Sequence, residues 1–250
     1  MKNLLNRPRF WKKKGFQFPP QPSGIVQSLY NAATKCGWLE FCNHPRDTVM
    51  PLVKEFYVNL VSPGQHNIWV RNSLVPLDSR VINAFYNLPS KINYEYAKLL
   101  DKLTPQRWNK IFITLTVKGA SWANEEWRVI NRIDLTPIAK VWVKFLKSRL
   151  MPTTHTTTIS QERLVLLYVI VRGLPIDVGN IIEKEIRDCT MKNHKAAALL
   201  LPSLITIICV VSGVRLVQKM SMSKMMVPSL HAPSKELLVK LLEPHLNQLL

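Results

Sequence analysis

The sequence predicts a mainly α-helical fold, a compact multi-helix domain with one short β-hairpin near residues 67–77. The first observation is apolar spacing: Leu52, Phe56 and Leu60 recur at i, i+4 and i+8, which places them on one side of a helix. The second is the chemistry of two helix starts, where a capping hydroxyl precedes a proline at the first helical position. These starts are Thr104-Pro105 and Thr136-Pro137.

Apolar stripes and breaking residues place the helices along the chain. The predicted helices lie within residues 25–38, 47–60, 78–86, 104–119, 136–151, 158–173, 177–187 and 234–242. The helix that ends at Gly173 is apolar on all sides, so we expect it to be central and buried. Thr158 and Gln161 fit a capping box at its start. Residues 120–134 are predicted to be an irregular connection.

Strand-like alternation is confined to residues 67–77, with a turn expected at Asn72-Ser73. In the preceding helix, Glu55 and Asn59 lie four residues apart and therefore share a face. We expect these two polar side chains to bond a buried backbone or the hairpin itself.

Composition divides the chain into three segments. Residues 1–15 are predicted to be a basic, flexible arm, residues 16–220 a helical domain, and residues 221–250 a linker with a C-terminal amphipathic helix. Residues 196–214 carry no charge and approach the length of a membrane span. Because Pro202 and several hydroxyl groups interrupt this run, we favour a core helix broken at Pro202 and expect no membrane partner.

A large positive charge is the main indication of a partner. The chain has 34 Lys and Arg against 16 Asp and Glu, a formal net charge of +18. Such a field attracts DNA, RNA, anionic membranes or acidic proteins, although charge also serves solubility alone. No acidic residue lies between Asp134 and Glu162. The predicted nucleic-acid contacts are Lys12, Lys13 and Lys14 in the arm and Lys140, Lys144, Lys147 and Arg149 in the helix.

The cysteines indicate a reducing compartment. They number four, none in C-x-x-C spacing, and no histidine stands where a zinc finger needs one. A disulfide scaffold is not expected with so few cysteines in a chain of this size. We expect an intracellular protein of the nucleus or cytoplasm, with no metal and no cofactor.

Catalytic signatures are also missing from the sequence. A nuclease needs carboxylates that converge on a metal pair, whereas Asp78, Asp134 and Asp177 precede predicted helices, where each can serve as a cap. The sequence contains neither a phosphate-binding glycine loop nor the G-x-S-x-G of a hydrolase. We therefore expect no catalytic residue and no enzyme.

Seven tryptophans suggest the hypothesis of base stacking, since aromatic side chains beside cations bind single strands. Trp108 and Trp142 fall on apolar helix faces and are predicted to be core residues. Trp11, next to Lys12, is the better candidate for exposure.

An ordered series of segments resembles a known family. The segments are Lys14-Gly15-Phe16, Gly37-Trp38 with Phe41, LVKEFYVNL (52–60), WVRNSLVPLDSRVINAFYNLP (69–89), LTPIAKVWVKFLKSRLMPT (135–153), ISQERLVLLYVIVRGLPIDVGNII (159–182) and LPSLITIICVVSGV (201–214). Over roughly residues 10–220 this series is similar to the putative plant transposon protein domain, found in plant reading frames of mobile-element origin. Its most specific pieces are Val53-x-Glu55-Phe56-Tyr57-x-Asn59 and Val178-Gly179.

The resemblance implies a mobile-element origin and supplies no catalytic residues. The leading hypothesis is a non-catalytic helical domain that binds nucleic acid, or assembles with itself or with other element-encoded proteins. A protein–protein interaction module whose charge serves solubility is the alternative. A degenerate transposase or nuclease is the third hypothesis.

Overall fold

A computed structural model describes residues 18–42, 47–88, 95–153, 157–191 and 199–215. The α-helices found there are α1 (Gly24–Lys35), α2 (Leu39–Cys42), α3 (Met50–Asn59), α4 (Ser79–Phe85), α5 (Glu95–Asp101), α6 (Pro105–Leu115), α7 (Pro137–Phe145), α8 (Gln161–Val171), α9 (Val178–Met191) and α10 (Pro202–Val211). The strands are β1 (Asn67–Val70), β2 (Ser73–Pro76), β3 (Ile130–Asn131) and β4 (Thr158–Ile159). A mainly α fold with a short hairpin is thus confirmed.

The elements group into two compact units. The first, the hairpin unit, includes the described residues 47–88, 178–191 and 199–215; the second, the basic unit, includes 18–42, 95–153 and 157–177. The predicted boundaries at 15/16 and 220/221, the arm and the C-terminal helix all lie outside the described residues. One domain over 16–220 therefore stays a prediction.

Strands β3 and β4 and helix α5 of the basic unit were not predicted. Strands β3 and β4 pair antiparallel, Ile130 with Ile159 and Asn131 with Thr158, so residues 120–134 are not wholly irregular. Two-residue strands are too short to show alternation, and their partners lie far apart in sequence. The seven-residue helix α5 is likewise too short for a clear apolar stripe.

The predicted threonine caps are confirmed. Thr104 Oγ1 accepts a hydrogen bond from the backbone N–H of Arg107 at 3.3 Å, and Thr136 Oγ1 accepts from that of Ala139 at 3.4 Å. A proline follows each threonine within the first helical turn. These interactions satisfy amide groups that the first turn of a helix leaves without a partner.

The core of the basic unit forms around α8. Seven consecutive residues of this helix, 164–170, are buried, as predicted from its apolar composition. Helices α5, α6 and α7 pack against it. An aromatic cluster completes the core, in which Trp38 stacks on Phe145 with ring centroids 5.7 Å apart. Trp108 and Trp142 are both buried, which confirms the prediction that they are core residues.

The hairpin of the other unit turns one residue earlier than expected. Val70 pairs with Ser73, so Arg71 and Asn72 form the turn instead of Asn72-Ser73. Both turn residues have positive φ, 47° and 60°, the signature of a type I′ turn that matches the twist of paired strands. Because arginine rarely adopts this conformation, neighbouring contacts have to stabilise it.

Helix α3 provides those contacts. Glu55 Oε1 accepts a hydrogen bond from the backbone N–H of Arg71 at 2.7 Å, directly at the turn. Asn59 Nδ2 donates to the carbonyl of Trp69 at 2.6 Å. The prediction that Glu55 and Asn59 share a face is confirmed, and of the two expected partners, a buried backbone or the hairpin, the structure shows the hairpin.

Helices α4 and α9 approach each other at a glycine. The backbone N–H of Gly179 donates to Asn83 Oδ1 at 2.8 Å, in a buried contact. A Cβ added at Gly179 would lie 2.2 Å from the carbonyl oxygen of Ser79, well inside van der Waals contact. Only glycine therefore fits here without a shift of the backbone, which explains physically why this block is among the specific parts of the resemblance.

A salt bridge ties the hairpin to α9. Arg187 bonds Glu183 Oε1 at 2.7 Å and also donates to the carbonyls of Pro63, Gln65 and Leu77 at 2.7–2.9 Å. Both charged side chains are largely buried, with 11% and 17% exposure. Such a pair stabilises a fold only where its remaining polar atoms are satisfied, and here backbone carbonyls satisfy them.

The long apolar run forms a short helix. Helix α10 begins at Pro202, where a break was expected, and has ten residues. Thr206 Oγ1 accepts a hydrogen bond from the backbone N–H of Val49 at 3.0 Å, which holds it against the start of α3. In the part of the chain that the structure describes, no helix combines the length and apolarity required to cross a bilayer.

Candidate nucleic-acid interface

The predicted basic residues of α7 divide between two sides of the helix. At about 100° per residue, Lys140, Lys144 and Lys147 fall within about 60° of one another, whereas Arg149 falls on the opposite side. Lys144 is exposed, and Lys140 and Lys147 are half-buried. Arg149 is 3% exposed. The predicted contacts Lys12, Lys13 and Lys14 lie outside the described residues.

Arg149 belongs to the core of the basic unit instead of its surface. Its Nε donates to the carbonyl oxygen of Phe41 at 3.1 Å, and its Nη2 donates to the same oxygen. The guanidinium also lies over the ring of Phe41, 5.1 Å from the centroid. Burial raises the pKa of the neighbouring Cys42 thiol to about 12, although Arg149 lowers it in part. The guanidinium of Arg149 is therefore part of the buried packing around Phe41.

Lys147 lies within electrostatic range of two guanidinium groups. Burial lowers the pKa of its ammonium group below the ordinary value, and the guanidinium groups of Arg132 and Arg163 lower that pKa further. These three cations come from three separate elements: a 3₁₀ turn (Arg132–Asp134), a π-helical turn that continues α7 (Leu146–Leu150), and the first turn of α8. We call Arg132, Lys147 and Arg163 the cationic cluster.

The pairing of β3 with β4 positions Arg132, and the start of α8 positions Arg163. The ladder continues past β3, because the backbone N–H of Arg132 donates to the carbonyl of Thr157 at 2.7 Å. Strand β4 then leads into α8 through Ser160, which precedes the first helical residue. One turn later, Arg163 Nη1 donates to Ser160 Oγ at 3.2 Å.

The predicted capping box at the start of α8 is wrong. Thr158 lies in β4, and the helix is preceded by Ser160, which makes no side-chain bond to a backbone N–H. Strand pairing therefore outcompetes the local cap at Thr158. The hydroxyl of Ser160 orients Arg163 instead.

Sequence reasoning missed Arg132 and Arg163. One lies in the segment expected to be irregular and the other in a helix regarded only as core. Both lower the pKa of Lys147 from other elements of the fold, a relation that no local pattern indicates. The charge pattern did locate Lys147, since the stretch between Asp134 and Glu162 has no acid.

No described contact joins an exposed tryptophan to the cationic cluster. Trp127 is 65% exposed, but the turn that carries it also contains exposed Glu125 and Glu126. Arg128 lies 5.4 Å from the ring centroid of Trp122 and 3.6 Å from Glu125. The adjoining carboxylates make this turn an unfavourable place for a phosphate backbone. Trp11 lies outside the described residues.

Several carboxylates have structural partners. Asp78 Oδ1 accepts a hydrogen bond from the backbone N–H of Arg80 at 2.7 Å, which confirms its role as a cap of α4. Glu183 accepts from the N–H of Ser79 at 2.7 Å. Asp134 does not cap α7, because Thr136 does so. Among the described residues, no three His, Cys, Asp or Glu side chains come close enough to hold a metal ion.

Taken together, the structure defines a mainly helical protein whose candidate site is a group of cations on the basic unit. Comparison with family models then identifies the family of the protein. Residues 34–215 match the putative plant retrotransposon-related domain, and the chain belongs to this family. The mobile-element relationship inferred from the ordered segments is thus confirmed. No curated protein and no solved structure matches the chain significantly.

Proposed function

We propose that this chain is a non-catalytic, retrotransposon-related domain that binds the phosphate backbone of DNA or RNA through its basic unit. The observation that carries the proposal is the stretch between Asp134 and Glu162, which contains no acidic residue and in which Lys144 is exposed and Lys140 and Lys147 are half-buried.

Phosphate contacts supply most of the affinity of non-specific nucleic-acid binding, and lysine and arginine make them. Lys144 is exposed on α7, and Lys140 and Lys147 share its side of the helix. Their arrangement is suited to a polyanion that runs along this helix. The structural tasks of Glu55, Asp78 and Glu183 support the proposal that the domain has no catalytic carboxylates.

The test is a titration of the full chain with fluorescent duplex DNA, single-stranded DNA and RNA at about 50 and 200 mM salt. We expect affinity to fall steeply with salt. The variant Lys144→Gln should reduce the slope of log K against log salt by about 0.9 on duplex DNA. Lys184→Gln is the matched control, an exposed lysine of the hairpin unit, and should leave the slope unchanged. Absence of binding by the wild-type chain at low salt contradicts the proposal.

Self-assembly or protein binding is the second candidate, because the basic unit also exposes apolar side chains. Ile113, Val117 and Ile133 are 66%, 42% and 77% exposed. Val117 and Ile133 lie on neighbouring segments, since the N–H of Val117 donates to the carbonyl of Asp134 at 2.9 Å. Exposed apolar patches are typical of interaction surfaces. Sedimentation equilibrium should show a dimer that Ile133→Ser disrupts if this candidate is correct.

A further inference from the structure

We propose that the solvent-facing side of the hairpin binds the C-terminal amphipathic helix of the same chain, which the sequence predicts within residues 234–242. The surface consists of Trp69 of β1 and Leu74 of β2, and we call it the hairpin face. It belongs to the hairpin unit, so its use is independent of nucleic-acid binding by the basic unit.

The register of the hairpin places Trp69 and Leu74 side by side. The two residues pair directly, and the side chains of paired residues lie on the same side of a sheet. Their neighbours Ile68, Val70 and Val75 alternate to the other side and are buried. Trp69 is 57% exposed and Leu74 is half-buried, so the described residues leave much of this apolar pair in contact with water.

The end of α3 adds apolar surface near the same strand. Asn59 Nδ2 donates to the carbonyl of Trp69, which holds the last turn of α3 next to β1. Val58 and Val61, one and two residues from Asn59 in the chain, are 52% and 67% exposed. A single exposed apolar residue is ordinary, whereas several near one strand are typical of a surface that binds a partner.

The chain itself supplies a partner, because its described part ends beside the turn of the hairpin. Arg71 Nη1 donates to the carbonyl of Arg215 at 3.0 Å. Trp69 precedes Arg71 by two residues, about 7 Å of strand. The eighteen residues 216–233 separate Arg215 from Ser234. Eighteen residues of random coil span about 20–25 Å on average, and more when extended, which is enough to bring Ser234 to the hairpin face.

The sequence of the C-terminal helix suits an apolar surface. Four leucines fall within about 140° of one another around a helix, whereas Glu236 and Lys240 fall on the opposite side. The four are Leu237, Leu238, Leu241 and Leu242. A helix of this length is marginal in water by itself, so it needs a partner for its apolar side. The hairpin face offers an aromatic ring and aliphatic carbons, whose burial stabilises a packed helix.

The first experiment replaces Trp69 of the full chain by the photo-crosslinking residue p-benzoylphenylalanine and maps the adducts by mass spectrometry. We expect adducts within residues 234–242. The matched control carries the probe in place of Trp127, an exposed tryptophan of the basic unit, and should give no adduct there. Mixtures of isotopically light and heavy chains distinguish adducts within one chain from adducts between two.

The second experiment measures amide hydrogen exchange of residues 237–242 in full-chain variants. Trp69→Thr should speed this exchange about tenfold, because the helix loses apolar contact and opens more often. Threonine is favourable in a strand, and unchanged exchange of α3 verifies that the hairpin unit stays folded. Trp127→Thr is the matched control and should leave exchange of residues 237–242 as in the wild type.

A reciprocal comparison changes the C-terminal helix. Leu238→Ser removes an apolar side chain from the proposed contact, whereas Lys240→Ser alters the polar side with a similar loss of helix propensity. Leu238→Ser should reduce crosslinking from position 69 about tenfold, and Lys240→Ser should preserve it.

Two outcomes would overturn the proposal. Adducts found only between light and heavy chains would assign the hairpin face to a second copy of the chain. Absence of adducts within residues 234–242, or exchange that is equally fast in the wild type and in Trp69→Thr, would mean that the helix does not bind there. Because these measurements contain no nucleic acid, either result leaves the proposed function standing.

Discussion

The described charged side chains of the two units differ in the contacts that they make. In the hairpin unit, Glu55, Asp78 and Glu183 bond to backbone amides or arginines. In the basic unit, Arg132 and Arg163 lie close enough to Lys147 to lower its pKa. Opposite charges thus stabilise the architecture of the hairpin unit, whereas like charges interact in this part of the basic unit.

Two arginines on helices illustrate the difference. Arg187 of α9 reaches three backbone carbonyls and Glu183, so its charge is compensated within the fold. Arg163 of α8 bonds the hydroxyl of Ser160 and lowers the pKa of nearby Lys147. A compensated cation contributes to stability, whereas a group of repelling cations costs stability and is typical of a binding site.

The largest expected effect tests the packing of the hairpin unit. Gly179→Ala places a Cβ 2.2 Å from the carbonyl of Ser79 and 2.7 Å from Asn83 Oδ1. We expect a loss of about 4 kcal/mol in the free energy of unfolding, because rigid backbone has to move and the small gain in helix propensity does not offset this. Urea denaturation measures it. Gly64→Ala is the matched control, since a Cβ there meets nothing within 4 Å.

A smaller effect compares two ion pairs of similar length. Arg187 and Glu183 lie 2.7 Å apart and are largely buried, whereas Arg80 and Asp78 lie 2.8 Å apart with Arg80 66% exposed. Arg187→Ala should cost about 3 kcal/mol, since buried Glu183 loses its partner. Arg80→Ala should cost at most about 1 kcal/mol. Equal losses in thermal unfolding would mean that burial does not distinguish the two pairs.

The smallest effect concerns the cluster of the basic unit. Arg132→Gln removes one of the two guanidinium groups that lower the pKa of Lys147, so that pKa should rise toward its ordinary value of 10.5. NMR titration of the lysine side chain measures the shift. In the wild type, the unfolded chain retains the proton of Lys147 to a higher pH than the folded one. The contribution of Lys147 to stability therefore increases as pH rises between the lowered and the ordinary pKa.

Removal of Arg132 should raise the lower end of that pH interval, because the pKa of Lys147 in the folded chain rises toward its ordinary value. Lys118→Gln provides the comparison, because this exposed lysine is not among the causes of the lowered pKa. An unchanged pKa of Lys147 in Arg132→Gln would mean that burial and Arg163 account for its shift without Arg132. The contrast between the interactions of charged side chains in the two units would then be weaker.

Local patterns predicted much of the fold because they express local physics. Thr104 and Thr136 cap helices through bonds to residues three positions later. Helical spacing alone placed Glu55 and Asn59 on one face, and in the structure both side chains bond the hairpin. The same spacing places Arg149 opposite Lys140, but grouping by charge alone assigned it to the surface.

Other features depend on contacts between distant segments. The need for glycine at position 179 comes from Ser79 and Asn83 on another helix, about a hundred residues earlier in the chain. Thr158 suits a cap by its neighbours, yet pairing with Asn131 draws it into a strand. In both cases a tertiary contact decides between options that the local sequence leaves open.

By itself, the sequence determined the helical class, the hairpin, the main caps, the positive charge and the membership of a mobile-element family, because spacing, composition and ordered segments are properties of the chain. Only the tertiary structure decided that Arg149 is a core residue and that Arg132, Lys147 and Arg163 come together. The physical reason is that a charge acts through space, so its partners are set by the packing of β3, β4, α7 and α8 and not by their order in the chain.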